Sequence, residues 1–372
     1  MAVCVGLFSA GTGLAQESDA KDPAYQQLQR ALEAHQKLAK KQEGGWPSIP
    51  PGPKIEPGEQ GPRVAVLRAR LMVTDSAKQL KSRQPDLYDE ALVAAVKRFQ
   101  ERHGIDPDGT IGPSTLVALN VSLEQRTHQI ERNLVRWGER PGLMEGRYVA
   151  VNIPDYTLSL MEGDKPQLTM RVVVGMRNWQ TPIFHAQMTH IVFNPRWHVP
   201  TKIAVKEVIP DIKKDPNYLA KKGMRVLTNQ DGKVQEVDPA TIDWEDAAQW
   251  RQYTFHQDSG AGNALGRVKF LFPNQYDVYL HDTPSKSFFQ RSARALSHGC
   301  IRVQKPLDLA VAILGQEPNP WTEERIKAAI NRGTEQFVKL TNTLPVYLYY
   351  QTAWVDAAGV MQFRNDIYGL DK

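Results

Sequence analysis

The most informative part of the chain is the stretch Ser297-His298-Gly299-Cys300-Ile301-Arg302-Val303. It contains Cys300, one of two cysteines; the other, Cys4, lies in an apolar leader that we expect to be removed. A lone thiol cannot form an internal disulfide, which is the usual role of cysteine in an oxidising compartment. Neighbouring histidine and arginine side chains favour the thiolate, and glycine lets a substrate backbone approach closely. A buried apolar cysteine is the commonest alternative, but these polar neighbours favour a nucleophile.

Composition limits the class of protein. The chain has 372 residues, of which 41% are hydrophobic and 23% charged, as in an ordinary globular protein with more than one domain. Its net charge of +5 suits an anionic wall or membrane surface, although many proteins are this basic. No run of Lys and Arg alternates with aromatic residues, so we expect no nucleic-acid partner.

Residues 1–15 have the character of a signal peptide. The segment is apolar and rich in small residues, and a polar stretch begins at Gln16. No Lys or Arg precedes the apolar run, which leaves open a start within a longer leader or the absence of a signal peptide. The run is too short to span a membrane, so we expect export and a periplasmic, wall-associated mature protein that has no transmembrane segment.

Residues 16–60 are predicted to be an N-terminal helix, Asp22 to Lys41, followed by a linker rich in Gly and Pro, Gly44 to Pro62. We interpret both as a solvated spacer. Residues 61–122 are predicted to form three short helices around Leu67, Val96, Phe99 and Leu116.

Two motifs in this three-helix segment, VKRFQERHG from residue 96 and DGTIGPST from residue 108, resemble those of the peptidoglycan-binding domain. The resemblance implies wall binding, and a helical spacer that binds nothing is the alternative. We expect an amphipathic connecting helix over residues 123–146.

From residue 147 the hydrophobic period changes to two, which predicts a mostly β domain over residues 147–350. Residues 202–263 interrupt it with charged and mixed sequence, including helical stretches, and we interpret them as an insertion over the active site. Residues 351–372 are predicted to be a C-terminal tail. The fold class is therefore α+β and multidomain, with a mostly β catalytic domain, an inserted capping segment and a small three-helix domain.

The segment Tyr279-Leu280-His281-Asp282-Thr283, together with SHGCIR, resembles the signature of the L,D-transpeptidases of bacterial peptidoglycan, the YkuD-type catalytic domain. The resemblance implies that His281 is the base for the nucleophile Cys300. The insertion resembles the capping loop of the larger, lid-bearing enzymes of Gram-negative bacteria.

The same resemblance implies the reaction. Cys300 attacks the carbonyl of the third residue of a tetrapeptide stem, terminal D-alanine leaves, and a thioester forms. The side-chain amine of another stem's third residue then attacks the thioester and forms a 3-3 cross-link. No cofactor or metal is expected; the partners are peptidoglycan stem peptides and other wall-synthesis enzymes, and carbapenems should acylate Cys300.

Supporting roles follow for the residues around the nucleophile. Backbone N–H groups around Gly299, Cys300 and Ile301 are the candidate oxyanion donors, because a glycine-containing turn can expose them. Ser297 is a candidate to orient His281 through its carbonyl or hydroxyl group.

Four further side chains are singled out. Arg302 could raise the local potential, hold a substrate carboxylate or brace the loop. His298 directly precedes Gly-Cys, so we expect its ring to point away from the sulfur and to be structural. Tyr279 and Trp197 are predicted to line the donor site, with ordinary packing as the alternative.

Other functions remain open at this stage. Transfer of the thioester to water would give an L,D-carboxypeptidase or endopeptidase, and transfer to a lipoprotein lysine would give a wall-anchoring enzyme. A zinc peptidase is a second class, but the sequence has no His-Glu-x-x-His run. A non-catalytic wall-binding scaffold is a third. Two departures from the family pattern, Asp282 and His198, leave the shape of the donor pocket open.

Overall fold

A computed structural model describes residues 22–42, 45–75, 78–138 and 144–372. The predicted signal peptide and Cys4 therefore lie outside the described residues. The chain divides into two compact units. Unit 1 comprises the residues up to 143, Asn152–Asp155 and Tyr349–Lys372, and unit 2 comprises Met144–Val151 and Tyr156–Leu348.

Unit 1 is mainly helical. Its helices are α1 Pro23–Lys41, α2 Pro62–Thr74, α3 Glu90–Arg102, α4 Pro113–Asn120 and α5 Leu123–Gly138. Helices α2, α3 and α4 enclose a core that includes Leu67, Leu71, Val96 and Phe99. The predicted helical domain near the N-terminus is thus confirmed. Asp89 caps α3 by accepting from the N–H of Leu92, and the helix ends just before Gly104, whose φ is +65°.

The segment before α2 is not the solvated spacer that its prolines and glycines predicted. Ile49 and Ile55 are buried in the same core, at 1% and 2% exposure. Ile55 also forms a two-way backbone bridge with Ile111. Apolar side chains between the prolines therefore anchor this segment, whose backbone is unsuited to a helix but free to pack in an extended form.

The two ends of the described chain meet in unit 1. Leu28 of α1 is fully buried against Ile130 and Trp137 of α5 and against Ala353 and Phe363. These last two belong to a small hairpin, strands Ala353–Val355 and Met361–Phe363. The prediction of a solvated α1 and a simple tail over residues 351–372 is therefore wrong, because apolar side chains in both segments bury one another.

Unit 2 is built on β-strands. In chain order they are β1 Arg147–Asn152, β2 Thr157–Glu162, β3 Lys165–Gly175, β4 Phe184–Phe193, β5 Trp197–His198, β6 Met224–Gln230, β7 Lys233–Val237, β8 Tyr253–Gln257, β9 Val268–Leu271, β10 Leu280–His281, β11 Ala295–Ser297, β12 Ile301–Val303 and β13 Gln336–Tyr349. The main sheet has nine strands in the order β11-β3-β12-β10-β9-β4-β13-β1-β2, and β2 also pairs with β3. That extra pairing closes the sheet on itself, with β11 outside the ring. The mostly β catalytic domain is confirmed.

Helices complete unit 2. They are α6 Thr201–Ile203, which continues through a π-turn at Ala204–Val208 into α7 Ile209–Lys214, then α8 Tyr218–Lys222, α9 Ala247–Trp250, α10 Pro306–Leu314 and α11 Glu323–Asn331. Short 3₁₀ turns lie at Arg177–Trp179, Pro239–Thr241 and Lys286–Gln290.

The segment interpreted as a capping insertion has a core of its own. A second sheet, in the order β5-β8-β6-β7, packs with α7 around Ile209, Ile212, Val226 and Phe255. Helices were predicted here, but strands β6, β7 and β8 were not, because charged residues mask their alternation. Among the residues that the structure describes, no helix has both the length and the apolarity needed to cross a membrane.

Candidate active site

The strand register brings the two candidate catalytic residues to one place. Strand β10 lies between antiparallel β9 and parallel β12. In this register His281 is opposite Lys269 of β9 on one side and Arg302 of β12 on the other. The preceding pair, Leu280 and Ile301, is fully buried. Because alternate residues of a strand point to opposite faces, Lys269, His281 and Arg302 form a row on the same face.

Tyr279 and Cys300 lie on that face as well, two positions before His281 and Arg302. The Ile301 N–H donates to the Tyr279 carbonyl at 3.1 Å, which fixes the two strands beside each other at this point. The face opens into a cavity of about 810 Å³, and every predicted site residue except Ile301 lines it.

His281 is held as a neutral base. Its Nδ1 lies 2.5 Å from the carbonyl oxygen of Asp282. A carbonyl can only accept, so Nδ1 carries the proton and Nε2 keeps a lone pair. Burial lowers the pKa of His281 to about 3, with help from the positive charges of Arg302 and Lys269 and against its hydrogen bonds to backbone carbonyls. The imidazole is therefore uncharged at neutral pH.

Cys300 is held as a thiol. Burial raises its pKa, although hydrogen bonds from Tyr279 and the charges of Lys269 and Arg302 favour the thiolate. The Sγ–H donates to the carbonyl of Asp277 at 3.7 Å. Arg302 favours the thiolate, as its position in the sequence suggested, but desolvation of the charged form outweighs this effect.

The loop before the nucleophile is tied by Ser297. Its Oγ donates to the Cys300 carbonyl at 2.5 Å and accepts from the Gly299 N–H at 3.2 Å. Its carbonyl accepts from the Met176 N–H at 2.9 Å. Ser297 therefore does not orient His281 as predicted, because both of its groups are used within the loop and the Asp282 carbonyl holds the ring instead.

Gly299 has a φ of +113°, which a residue with a side chain adopts only with strain. Its carbonyl accepts from Thr181 Oγ1 at 2.7 Å, a contact that nothing in the local sequence indicates. The Ile301 N–H is used in the strand pairing, which removes it from the candidate oxyanion donors. The Gly299 N–H donates to Ser297 Oγ within the loop, so the Cys300 N–H is the candidate that remains.

The insertion contributes to the wall of the cavity. Glu207, in its π-turn, lies 2.5 Å from Nε2 of His298. The ring of His298 also stands edge-on to Trp179 at 4.9 Å between centroids. His298 thus contacts the insertion. Sequence reasoning missed Glu207 because it is 91 positions from His298.

The remaining predicted residues take different places. Trp197 is partly buried against the core of the insertion and lines the cavity. His198 pairs with His256, with 3.1 Å between Nδ1 and Nε2. The pKa of Tyr279 is raised well above its usual value by burial, so its hydroxyl stays protonated and can donate. Burial lowers the pKa of Arg302, whose Nε has no hydrogen-bond partner within the described part of the chain.

Asp282, the first departure from the family pattern, braces the end of the strand that carries the base. Its Oδ2 accepts from the Arg267 N–H at 2.9 Å and its Oδ1 from the Thr283 N–H at 2.7 Å. It also pairs with Lys286. Gly266, with a φ of +63°, passes so close that a Cβ atom there would lie 2.4 Å from the Asp282 carboxyl.

Comparison with known proteins identifies the class. Residues 146–334, about half of the chain, match the L,D-transpeptidase catalytic domain of the YkuD family. The chain belongs to this family. Residues 60–119 match a domain described as "Putative peptidoglycan binding domain".

Among curated proteins, the chain is 36% identical over 246 residues to a "Putative L,D-transpeptidase" of Haemophilus influenzae. That alignment covers 66% of this chain and 48% of the relative, so the chain spans about half the length of the curated relative it matches.

Two solved structures also match, at low similarity. An L,D-transpeptidase of Xylanimonas cellulosilytica is 16% identical, over 81% of this chain and 100% of the other, with a TM-score of 0.22. An L,D-transpeptidase of Stackebrandtia nassauensis is 15% identical, over 82% and 96%, with a TM-score of 0.27. Because these scores are low, the family assignment depends on the catalytic-domain match.

The zinc-peptidase alternative requires a set of metal ligands. Within residues 22–42, 45–75, 78–138 and 144–372, no three His, Cys, Asp or Glu side chains form a group that could hold a metal ion. Zinc in proteins is bound by three or four such ligands. The described residues therefore offer no ligand set for this alternative.

Proposed function

We propose that this protein is a peptidoglycan L,D-transpeptidase that uses Cys300 as nucleophile and His281 as general base and acid. The observation that carries the proposal is the shared face of β10 and β12, on which His281 and Cys300 both open into the cavity. The family supplies the reaction class, since its members act on peptidoglycan stems. A thiol and a neutral imidazole side by side can perform an acyl transfer without a stable ion pair.

The first half-reaction makes a thioester. Nε2 of His281 takes the proton from the Cys300 thiol while Sγ attacks the carbonyl carbon of the donor's third residue. The Cys300 N–H is the proposed donor to the resulting oxyanion. The amide bond then breaks, the imidazolium returns its proton to the departing nitrogen, and D-alanine leaves.

The second half-reaction consumes the thioester. The side-chain amine of a second stem's third residue attacks the acyl carbon and gives one proton to His281. The carbon–sulfur bond breaks, the thiol is restored, and a 3-3 cross-link remains. The Glu207–His298 contact places the insertion beside the nucleophile, which supports exclusion of water and hence transfer over hydrolysis.

The domain match at residues 60–119 supports a supplementary proposal: this segment holds the enzyme on peptidoglycan. Wall association implies an exported, periplasmic protein whose partners are stem peptides and other wall-synthesis enzymes.

Product analysis tests the proposed function. Purified disaccharide tetrapeptide should yield dimers and free D-alanine, detected by mass spectrometry. Monomeric tripeptide alone would instead indicate an L,D-carboxypeptidase, and a product joined to a lipoprotein lysine would indicate a wall-anchoring enzyme. Full wall-binding activity with no turnover in either wild type or Cys300→Ser would indicate a scaffold.

A carbapenem provides a second test. We expect intact wild-type protein to gain the mass of one carbapenem, because the antibiotic acylates Cys300, and Cys300→Ser to gain none. An equal adduct on both proteins, or no adduct on either, would contradict the assignment of the nucleophile.

A further inference from the structure

Lys269 is a cation in the candidate active site that the sequence motifs do not include. It lies on β9 directly opposite His281 and lines the cavity. Its ammonium group lies 3.8 Å from the centroid of the Tyr279 ring, and Tyr279 hydrogen-bonds to Cys300. The ammonium is therefore close to both the proposed base and the proposed nucleophile.

This cation has no ion-pair partner among the described residues. Burial lowers the pKa of Lys269, and Cys300, Glu335 and Asp277 oppose this only through space. Lys286 and Lys327, by contrast, are paired with Asp282 and Glu323. A half-buried ammonium without a counter-ion is costly, which a bound anion would offset.

The reaction itself dictates where a substrate anion must lie. To receive a proton from His281, the departing nitrogen must come within hydrogen-bond reach of that ring. In an amino-acid leaving group only the α-carbon separates this nitrogen from the carboxylate. The leaving carboxylate must therefore lie beside His281, in the row that Lys269 and Arg302 flank.

The surroundings of the two cations distinguish them. The guanidinium of Arg302 lies 5.7 Å from the ring centroid of Phe288, in the 3₁₀ turn Lys286–Gln290. The ammonium of Lys269 instead leans over Tyr279, towards Cys300. Across the sheet, Arg302 lies on the nucleophile's own strand, whereas Lys269 lies on the far side of the base from that strand.

We propose that Lys269 binds the carboxylate of the leaving residue, and so restricts the donor to a stem that ends one residue beyond the bond that breaks. The inference rests on the proposed function and adds a specificity-determining residue to it. A stem with one more residue would place its carboxylate about 3.5 Å farther along the chain, out of reach of this ammonium. A stem that ends in a carboxamide would offer no charge.

The test compares two donors that differ only at their end: disaccharide tetrapeptide with a terminal carboxylate, and the same compound with a terminal carboxamide. The full-length enzyme is assayed for release of D-alanine or D-alaninamide. We expect wild type to prefer the carboxylate by roughly 10- to 100-fold in kcat/KM, the scale of a hydrogen bond to a charged group. Lys269→Met should lose most of this preference by slowing on the carboxylate donor alone, and Lys269→Arg should keep part of it.

The donor ratio separates binding from an indirect effect on the base. Removing the charge of Lys269 also changes the pKa of His281, but this affects both donors equally and cancels in the ratio. Lys327→Met, a lysine on α11 paired only at the surface, is the matched control and should leave the ratio unchanged.

Each outcome supports or overturns the inference. Equal wild-type rates on the two donors would overturn it, and this comparison requires no variant to fold. An equal loss on both donors in Lys269→Met would show a general structural role and would also overturn it. Wild type that releases neither product would contradict the proposed function itself, and the inference with it.

Discussion

At the scale of single residues, the candidate site is a neutral pair and not an ion pair. Burial acts on both partners in the same direction, because it penalises the charged form of each. It lowers the pKa of His281 to about 3 and raises that of Cys300. The proton is therefore expected to move only when a substrate carbonyl is present to receive the sulfur.

The pH dependence of Cys300 alkylation should report the protonation state of this thiol directly. We expect its rate with iodoacetamide to rise with pH and to reach its midpoint above the ordinary thiol value of 9.0, because burial raises the pKa. Loss of free enzyme is followed by intact mass, with Cys300→Ser as the background control. A midpoint below neutral pH would indicate a stable thiolate–imidazolium pair and would contradict this account.

At acid pH, the activity should depend on the protonation of His281. Its folded pKa of about 3 lies below that of an ordinary histidine, so the neutral, proton-accepting form persists as the pH falls. We expect kcat/KM for D-alanine release to stay nearly constant between pH 7 and pH 5. His281→Gln should lower it by roughly 10²- to 10⁴-fold, the usual contribution of a general base.

The matched control for this variant is His298→Gln, which changes a histidine of the same cavity that pairs with Glu207. It should cost much less activity. A wild-type rate that halves near pH 6.5 would show an ordinary, solvated base at this position.

At the scale of elements, the site depends on the end of the β9–β10 pair at which β9 begins and β10 ends. The base is at the end of a strand of two residues, Leu280–His281. Asp282 supports that end by accepting the N–H of Arg267, just before β9, and the N–H of Thr283, just after β10. Gly266 allows the approach because it has no side chain.

Gly266→Ala should therefore destabilise the fold and disturb the base. Gly163→Ala is the matched control, since Gly163 has a similar φ of +58° but open space around it. We expect about 1 kcal/mol of lost stability in the control, the cost of a left-handed alanine, and at least twice that in Gly266→Ala. Only Gly266→Ala should also lower the rate of Cys300 acylation.

Chemical denaturation measures the difference in stability between the two variants, and carbapenem adduct formation measures the acylation rate. If the two variants lost equal stability and Gly266→Ala kept its full acylation rate, the close contact between Gly266 and Asp282 would be unimportant for both stability and activity.

At the scale of the whole molecule, the first and last described segments of the chain fold together. Phe363, near the C-terminus, is 6% exposed and packs with Leu28 of α1 and Ile130 of α5. Phe363→Ala should cost unit 1 roughly 3–5 kcal/mol, as for other large-to-small changes in a core. Hydrogen exchange should accelerate in α1 and α5, whereas Val360→Ala, at a position that is 42% exposed, should leave it unchanged. Unchanged exchange in Phe363→Ala would contradict this description of unit 1.

Part of the fold and of the candidate site could be predicted from the sequence. The contiguous motifs YLHDT and SHGCIR located His281 and Cys300, and periodicity located the three helices of α2 to α4. Lys269, Thr181 and Glu207 could not be found, because their place beside the motifs depends on pairing between strands far apart in the chain. The raised pKa of Cys300 could not be predicted either, since burial is a property of the fold and not of the neighbouring residues.

The assignment of Cys300 as a nucleophile served by His281 is tested most directly by trapping the acyl-enzyme. Wild-type protein mixed with tetrapeptide donor and no acceptor should gain the mass of the donor minus D-alanine, and peptide mapping should place the added mass on Cys300. His281→Gln should form the same adduct far more slowly, and Cys300→Ser should form none. An adduct on another residue, or formation at the wild-type rate without His281, would contradict the account.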